Sequence, residues 1–259
     1  MSTTRPVALV TGASAGIGRE LARLLAADHD LILTARREAA LQALAAELSH
    51  AICRIVPVDL ADPDGPRKLF DAVAALNLPI DVLVNNAGFG HVGPFADADP
   101  AKLNAMIQLN VAAFTQLLEL FLPGMRQRGR GRILNVGSVA GFQPGPFMAA
   151  YYATKAFVNS LSQALSSELS GTGITVTCLC PGPTASEFAD VAGFDATKSV
   201  SAGMRMTARS VAQAGLRSMQ RGQPLVIPGW QNRLLIFLQR FVPRGLVIRA
   251  VRSMLAQRL

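Results

Sequence analysis

Tyr151-Tyr152-Ala153-Thr154-Lys155 contains groups that can move a proton or hold a charge, and in a helix Tyr151 and Lys155, four residues apart, project from one face. A free phenol titrates at about pH 10 and is a poor base at neutrality, but an ammonium beside it favours the phenolate and lowers that value. The pair predicts a tyrosine tuned by a lysine, able to give or take a proton at a ligand oxygen. Tyr152 stands three residues from Lys155 and is the competing tyrosine.

A second set of residues suits a phosphate. Thr11-Gly12-Ala13-Ser14-Ala15-Gly16-Ile17-Gly18 lies between an apolar run and an amphipathic one. Gly12 permits a tight turn, and Gly16 and Gly18 omit side chains where backbone meets phosphate or sheet, at a helix start that favours anions. About 20 positions beyond such glycines, a carboxylate would hydrogen-bond a ribose 2′-hydroxyl. The sequence there reads Thr34-Ala35-Arg36-Arg37. No carboxylate repels a 2′-phosphate, and the Arg36 guanidinium can bind one with paired hydrogen bonds, so NADP(H) is expected over NAD.

The glycine spacing G-x-x-x-G-x-G is followed in order by Asp59-Leu60, Asn85-Asn86-Ala87-Gly88, Asn110, Ser138, Tyr151 with Lys155, and Pro181-Gly182. This succession resembles the short-chain dehydrogenase/reductase superfamily along most of the chain. The resemblance implies that Gly12, Ser14, Gly16, Ile17 and Gly18 line the diphosphate and ribose side of the cofactor, with Asp59 and Leu60 bordering the adenine. It sets Asn86 and Ala87 by the ribose and Pro181, Gly182 and Thr184 by the nicotinamide amide. Tyr151 would exchange the proton with the substrate oxygen, and Lys155 would tune it and bind the nicotinamide ribose. Ser138 would hold the carbonyl oxygen, and Asn110 would kink its helix and hold a water that links Lys155 to solvent. Asn85 is expected to tie neighbouring strands together. NADP-using relatives often carry a basic residue where this chain has Ala15.

These residues need a scaffold, and the hydrophobic pattern supplies it. Apolar runs at 7–11, 31–35, 52–58, 82–86, 132–137, 174–180 and 224–228 read as strands, with helical periodicity after Gly18 and at 38–48, about 66–76, about 102–127 and about 151–170. Strands alternating with crossover helices predict one doubly wound α/β domain of Rossmann type, a seven-stranded parallel sheet with helices on both faces. Residues 1–229 are expected to form the cofactor-binding and catalytic domain, and 230–259 a helical extension of it. Two stretches break the rhythm after strand ends, 139–150 and about 183–206, and are expected to wall a pocket. Phe142, Pro144, Pro146, Phe147, Met148, Phe188, Val191, Phe194, Met204 and Met206 make those walls apolar. His91, next to Gly90 after the Asn85–Gly88 run, is a candidate for the entrance, with a position away from it the first expectation.

Composition narrows the class further. Half of the residues are hydrophobic and 16% charged, which excludes disorder from lack of apolar surface. The net charge of +8 is uneven: residues 1–195 hold 14 Lys and Arg with all 17 acids, whereas residues 196–259 hold 11 Lys and Arg and no acid. Without interleaved aromatics or a recognised motif, that tail does not predict nucleic-acid binding. Cys53, Cys178 and Cys180 include no C-x-x-C and are expected as reduced core thiols. His29, His50 and His91 have no partners at metal-ligand spacing, so no metal is expected; His29 and His50 read as surface or half-buried. The opening MSTTRPVALVTG lacks signal-peptide regions, and no apolar run reaches the roughly 18 residues of a membrane span, so a cytoplasmic protein is expected.

The tail carries Arg233, Arg240, Arg244, Arg249, Arg252 and Arg258. Leu234, Leu235, Leu238, Phe241 and Val242 recur at helical spacing before Pro243, and Val247, Ile248, Val251, Met254 and Leu255 after Gly245. Such helices pack on their own protein or lie on an anionic membrane; packing is the first expectation, because an apolar stripe needs burial and a protein surface is at hand. Taken together, the resemblance and the pocket imply an NADPH-dependent reductase of a lipophilic ketone or aldehyde, reversible as an alcohol oxidation. The alternatives are an NAD-linked alcohol dehydrogenase and an idle dinucleotide-binding module. A homodimer or homotetramer through the two long helices is implied by the resemblance.

Overall fold

The computed structural model describes residues 5–185, 187–194 and 206–257, with Asp190 described in its backbone alone. Met204 and Arg258, named above, lie outside the described residues. The strands are β1 (Val7–Thr11), β2 (Asp30–Thr34), β3 (Cys53–Ile55), β4 (Ile80–Asn85), β5 (Gly131–Val136), β6 (Ile174–Leu179), the short β7 (Thr184–Ala185) and β8 (Met206–Thr207), and β9 (Leu225–Val226). Seven of them form one sheet in the order β3-β2-β1-β4-β5-β6-β9, parallel throughout, while β7 and β8 pair only with each other. The chain order reverses between β1 and β4, which opens a crevice at the carboxyl ends of those strands.

The helices are α1 (Gly16–Leu25), α2 (Glu38–Glu47), α3 (Gly65–Ala74), α4 (Pro100–Ile107), α5 (Phe114–Arg128), α6 (Ala149–Glu168), α7 (Phe188–Ala192), α8 (Ala208–Gln220), α9 (Trp230–Leu238) and α10 (Arg244–Ala256). Successive strand residues point to opposite faces. Ala8 and Val10 of β1 join a core with Leu21 of α1, Leu41 of α2 and Leu216 of α8, whereas Val7 and Leu9 join one with Leu69 of α3, Leu117 of α5 and Val158 of α6. Both faces are dry, which is why the strand sequences are apolar without alternation.

Several expectations change. The single helix expected over 102–127 is two helices joined by a π-helical turn at Gln108–Ala113. From Pro100 to Arg128 this run is long and apolar enough to span a membrane by length and composition, contrary to expectation, because Asn104, Gln108 and Asn110 interrupt it without dominating it. One face of α5 packs Leu117, Leu118, Phe121 and Met125 into the core. Helix α8 had no counterpart in the sequence reading, although Val211, Ala212, Gly215, Leu216 and Met219 form its buried stripe and the Thr207 side chain caps it. His29 is buried rather than surface or half-buried, with its ring against Asp28.

The tail divides in two. Val251 and Leu255 of α10 are buried and pack with Val92, Met148 and Tyr152, as the packing expectation required. In α9 and the turn after it, however, Leu234, Leu235, Leu238, Phe241 and Val242 are all exposed, contrary to that expectation. The inward side is taken by Asn232, Ile236 and Gln239 instead. Asn232 Nδ2 donates to the Pro228 carbonyl (2.8 Å), and Gln239 Nε2 to the Phe142 carbonyl (3.5 Å), so polar anchors fix which side faces the protein.

Candidate active site

The glycine turn and the Tyr–Lys pair meet in one cleft of about 720 Å³ at the reversal of strand order. Gly12 and Gly16 have positive φ, 64° and 54°, which side chains rarely adopt. A Cβ on Gly12 would also stand 2.7 Å from Asn86 Nδ2, so the turn needs glycine on two counts. Thr11 Oγ1 accepts the backbone N–H groups of Asn86 (2.9 Å) and Ala87 (3.0 Å), and Asn86 Nδ2 returns to the Thr11 carbonyl (2.8 Å). The Asn86 amide therefore holds the turn. Asn85 Nδ2 donates to the Phe114 carbonyl (3.0 Å), tying β4 to the start of α5 rather than to a neighbouring strand.

Gly12, Ser14, Gly16, Ile17, Arg36, Asp59, Leu60, Asn86, Ala87, Pro181, Gly182 and Thr184 all line this cleft, as do Ser138, Tyr151 and Lys155. Gly18 lies beneath the turn, where a Cβ would meet the Gly12 carbonyl oxygen at 2.3 Å. The bare backbone and its helix start form a cradle that fits a dinucleotide diphosphate. Arg36 is exposed, with Nη1 4.0 Å from Asp59, a loose pair in solvent. Arg37, which the sequence reading left without a role, donates to Ser14 Oγ (3.3 Å) and Glu187 (2.7 Å) across the cleft mouth.

Helix α6 starts beside the cleft and carries Tyr151 and Lys155 inward, both buried. Lys155 Nζ donates to the Val136 carbonyl (2.8 Å) and lies 6.0 Å from the Tyr151 ring centre. Ser138 follows β5 beside Tyr151, its Oγ accepting from Ala140 N (3.0 Å) and donating to the Pro181 carbonyl (3.5 Å). Asn110 is buried in the π-helical turn at Gln108–Ala113. Its amide accepts from Phe89 N (3.1 Å) and donates to the Phe89 carbonyl (2.9 Å) and Thr154 Oγ1 (3.2 Å).

Sequence reasoning missed Asn159, one turn beyond Lys155. Its amide donates to the Ser138 carbonyl (2.9 Å) and accepts from Ser138 N (3.3 Å) and from Cys180 Sγ (3.2 Å), so it fixes the backbone that presents the serine. A buried polar residue on the face already holding Tyr151 and Lys155 was the available signal. Cys178 and Cys180 lie buried on one strand face as free thiols, Sγ to Sγ 3.5 Å.

Of the expected apolar wall, Met148, Phe188, Val191 and Phe194 line the cleft, joined by Tyr152 and Leu255, which were not foreseen there. Met206 packs into the core beside α8 instead. Phe142, Pro144 and Pro146 do not line the cleft. Phe147 and His91 line a separate small hollow with Phe95 and Met106, so His91 is not at the main entrance.

Residues 6–195 match the short chain dehydrogenase family. The chain belongs to the short-chain dehydrogenase family. It is 40% identical over 177 residues to a very-long-chain 3-oxoacyl-CoA reductase of Laccaria bicolor, a match covering 65% of this chain and 52% of that protein. The chain thus spans about half the length of the first curated relatives it matches. Among solved structures, a short-chain dehydrogenase of Sphingobium yanoikuyae in complex with NADPH superposes with a TM-score of 0.82 at 35% identity, over 93% of this chain and 95% of that one. The bulky-bulky ketone specific alcohol dehydrogenase of Comamonas testosteroni gives 0.78 at 30% identity, over 95% and 94%. The Sphingobium structure holds NADPH, and a short chain dehydrogenase/reductase of Burkholderia phymatum with the same fold holds NAD.

In this short-chain dehydrogenase the protein surroundings of Tyr151 act opposite to the sequence expectation. Burial pushes its phenol above the ordinary range, and the hydrogen bond with Ser138 only partly opposes this. Lys155 is not among the groups that shift it: its Nζ is directed to the Val136 carbonyl, and burial pulls it down to about 8. The Tyr151 phenol therefore stays protonated throughout the neutral range. Lys155 is charged below about pH 8 and neutral above it. If that charge works in the site, turnover should decline as pH rises through about 8, where the ammonium is lost. A pH–rate profile of kcat/KM from 6 to 10 checks this, and a flat profile would count against a working charge on Lys155.

Proposed function

We propose that the protein is an NADPH-dependent reductase of lipophilic ketones or aldehydes. The observation that carries this reading is the convergence of Ser138, Tyr151 and Lys155 with the glycine turn in one cleft whose further wall is apolar. Gly12, Ser14, Gly16 and Ile17 would hold the diphosphate, with Gly18 keeping the turn open beneath it. Asp59 and Leu60 would flank the adenine, Asn86 and Ala87 the ribose, and Pro181, Gly182 and Thr184 the nicotinamide amide. Bound there, NADPH supplies the hydride.

The chain's own residues do the rest. Ser138 and the Tyr151 hydroxyl hold the carbonyl oxygen, and Tyr151 gives the proton as negative charge develops on it. Lys155 adds positive charge beside both while it is protonated. Asn110 and Asn159 are positioning residues, the first through Phe89 and Thr154, the second through Ser138. Met148, Tyr152, Phe188, Val191, Phe194 and Leu255 exclude water and favour an apolar substrate. The names of two relatives, one acting on very-long-chain 3-oxoacyl-CoA and one on bulky ketones, agree with this class. Exposed Ile107 and Phe157 on the long helices support pairing of subunits there.

Following NADPH oxidation against ketones and aldehydes of graded chain length tests the reading. The rate should rise with chain length, and no turnover across the panel would refute it. The cofactor preference has its own test. Arg37 is engaged by Ser14 and Glu187, which leaves Arg36 as the looser guanidinium for a 2′-phosphate. Arg36→Ala should erase most of the preference for NADPH over NADH, about 1.5–3 kcal/mol for a charge-assisted hydrogen bond. Titration of both cofactors measures it; equal affinities in the wild type would exclude the assignment.

A further inference from the structure

Helix α9 is turned inside out. Its protein side carries Asn232 and Gln239 around a single buried Ile236, while Trp230 (68% exposed), Leu235 (63%) and Phe237 (54%) face away from the fold. The same outer surface continues through Phe241, 73% exposed, whose ring meets that of Phe237 edge-on at 5.4 Å, and through Leu246 at the start of α10. The polar contacts inward are specific. Asn232 packs so closely on Gly182 that a Cβ there would stand 2.5 Å from its amide, which seats the polar side of the helix on the fold. A contiguous apolar patch of this kind marks an interaction surface.

Its charge selects the occupant. Arg233, Arg240 and Arg244 are exposed on the same segment as the apolar side chains, and no acidic residue occurs anywhere in residues 196–259. A second copy of the chain meeting this surface about a two-fold axis would set arginines against arginines, with no carboxylate of the segment to answer them. An anionic bilayer answers both features: its headgroups attract the guanidiniums, and its interface accepts Trp and Phe side chains. We propose that α9, the turn at Phe241 and the start of α10 dock the protein peripherally on anionic phospholipid membranes. The inward side of α9 meets the cleft, since Asn232 packs on Gly182, which lines it. The docking itself stands independently of the cofactor and substrate reading.

Trp230 is the only tryptophan of the chain and reports directly from the patch. The full-length protein is mixed at low salt with vesicles of phosphatidylglycerol and phosphatidylcholine, or of phosphatidylcholine alone. On anionic vesicles the Trp230 emission should shift to the blue and be quenched by acyl-brominated lipid, and the protein should sediment with the vesicles and be released at high salt. The double variants Phe237→Ser/Phe241→Ser and Arg240→Glu/Arg244→Glu should each weaken vesicle affinity at least tenfold with an unchanged melting temperature, because these side chains are exposed. No spectral shift with anionic vesicles, equal binding to neutral vesicles, or emission already blue in buffer and shifting red on dilution, as a self-covered patch would give, each overturns the proposal.

Discussion

Tyr151→Phe is expected to lower kcat by about 10²–10⁴-fold, the span a positioned proton donor supplies, while leaving NADPH affinity nearly unchanged. The phenyl ring keeps its place between Tyr152 and Phe188, whose ring centres lie 6.2 and 5.2 Å away. Only the hydroxyl that faces Ser138 is lost. Because the phenyl ring carries no titratable group, no change of pH should restore the variant. Tyr152→Phe serves as the control: it removes the hydroxyl of the neighbouring ring and should cost less than about tenfold, below the effect of losing a proton donor. Steady-state kinetics with a reducible ketone, alongside calorimetric titration of NADPH, gives both numbers. The opposite ranking of the two variants would make Tyr152 the donor and undo the assignment.

Gly18→Ala should abolish measurable cofactor binding, although in an ordinary helix interior the same exchange would gain about 1 kcal/mol. The added Cβ would meet the Gly12 carbonyl oxygen at 2.3 Å and Asn86 Nδ2 at 2.4 Å. Neither can step aside cheaply. Gly12 is held in a positive-φ turn, and the Asn86 amide is committed to the carbonyls of Thr11 and Gly12. Relief requires the whole turn to move off the start of α1, at an overpacking cost of about 1–3 kcal/mol, and the cradle for the diphosphate goes with it. Thermal unfolding with and without NADPH measures both parts. A wild-type shift on adding NADPH, with a lower melting temperature and no shift in the variant, is the expected pattern; a retained shift would show that the phosphates do not rest on this turn.

The sheet could be read from the sequence because its information is local. Each of the seven strands of the main sheet is a short apolar run between turn signals, and β1 to β6 fall within a few residues of their expected places. Helix α8 escaped because its stripe of Val211, Ala212, Gly215, Leu216 and Met219 is built from small as well as large residues. The stripe is plain only once the neighbouring Leu179 is seen to need the space at Gly215. Asn159 escaped for a related reason. A polar residue on a helix face says nothing of its purpose until β5 and β6 bring Ser138, Cys178 and Cys180 around it.

By itself the sequence determined the doubly wound sheet, the glycine turn and the spacing of Tyr151 from Lys155, since periodicity and backbone freedom depend on residues close along the chain. Tertiary structure decided the electrostatics at Tyr151, because distant elements bury the phenol and the Val136 carbonyl draws the Lys155 ammonium to itself. It also decided which way the tail faces. Helical spacing tells which residues share a side, but not which side meets the protein. That choice rests on Asn232 against Gly182 and Gln239 with the Phe142 carbonyl, contacts between residues 50 and 97 positions apart that only the folded chain creates.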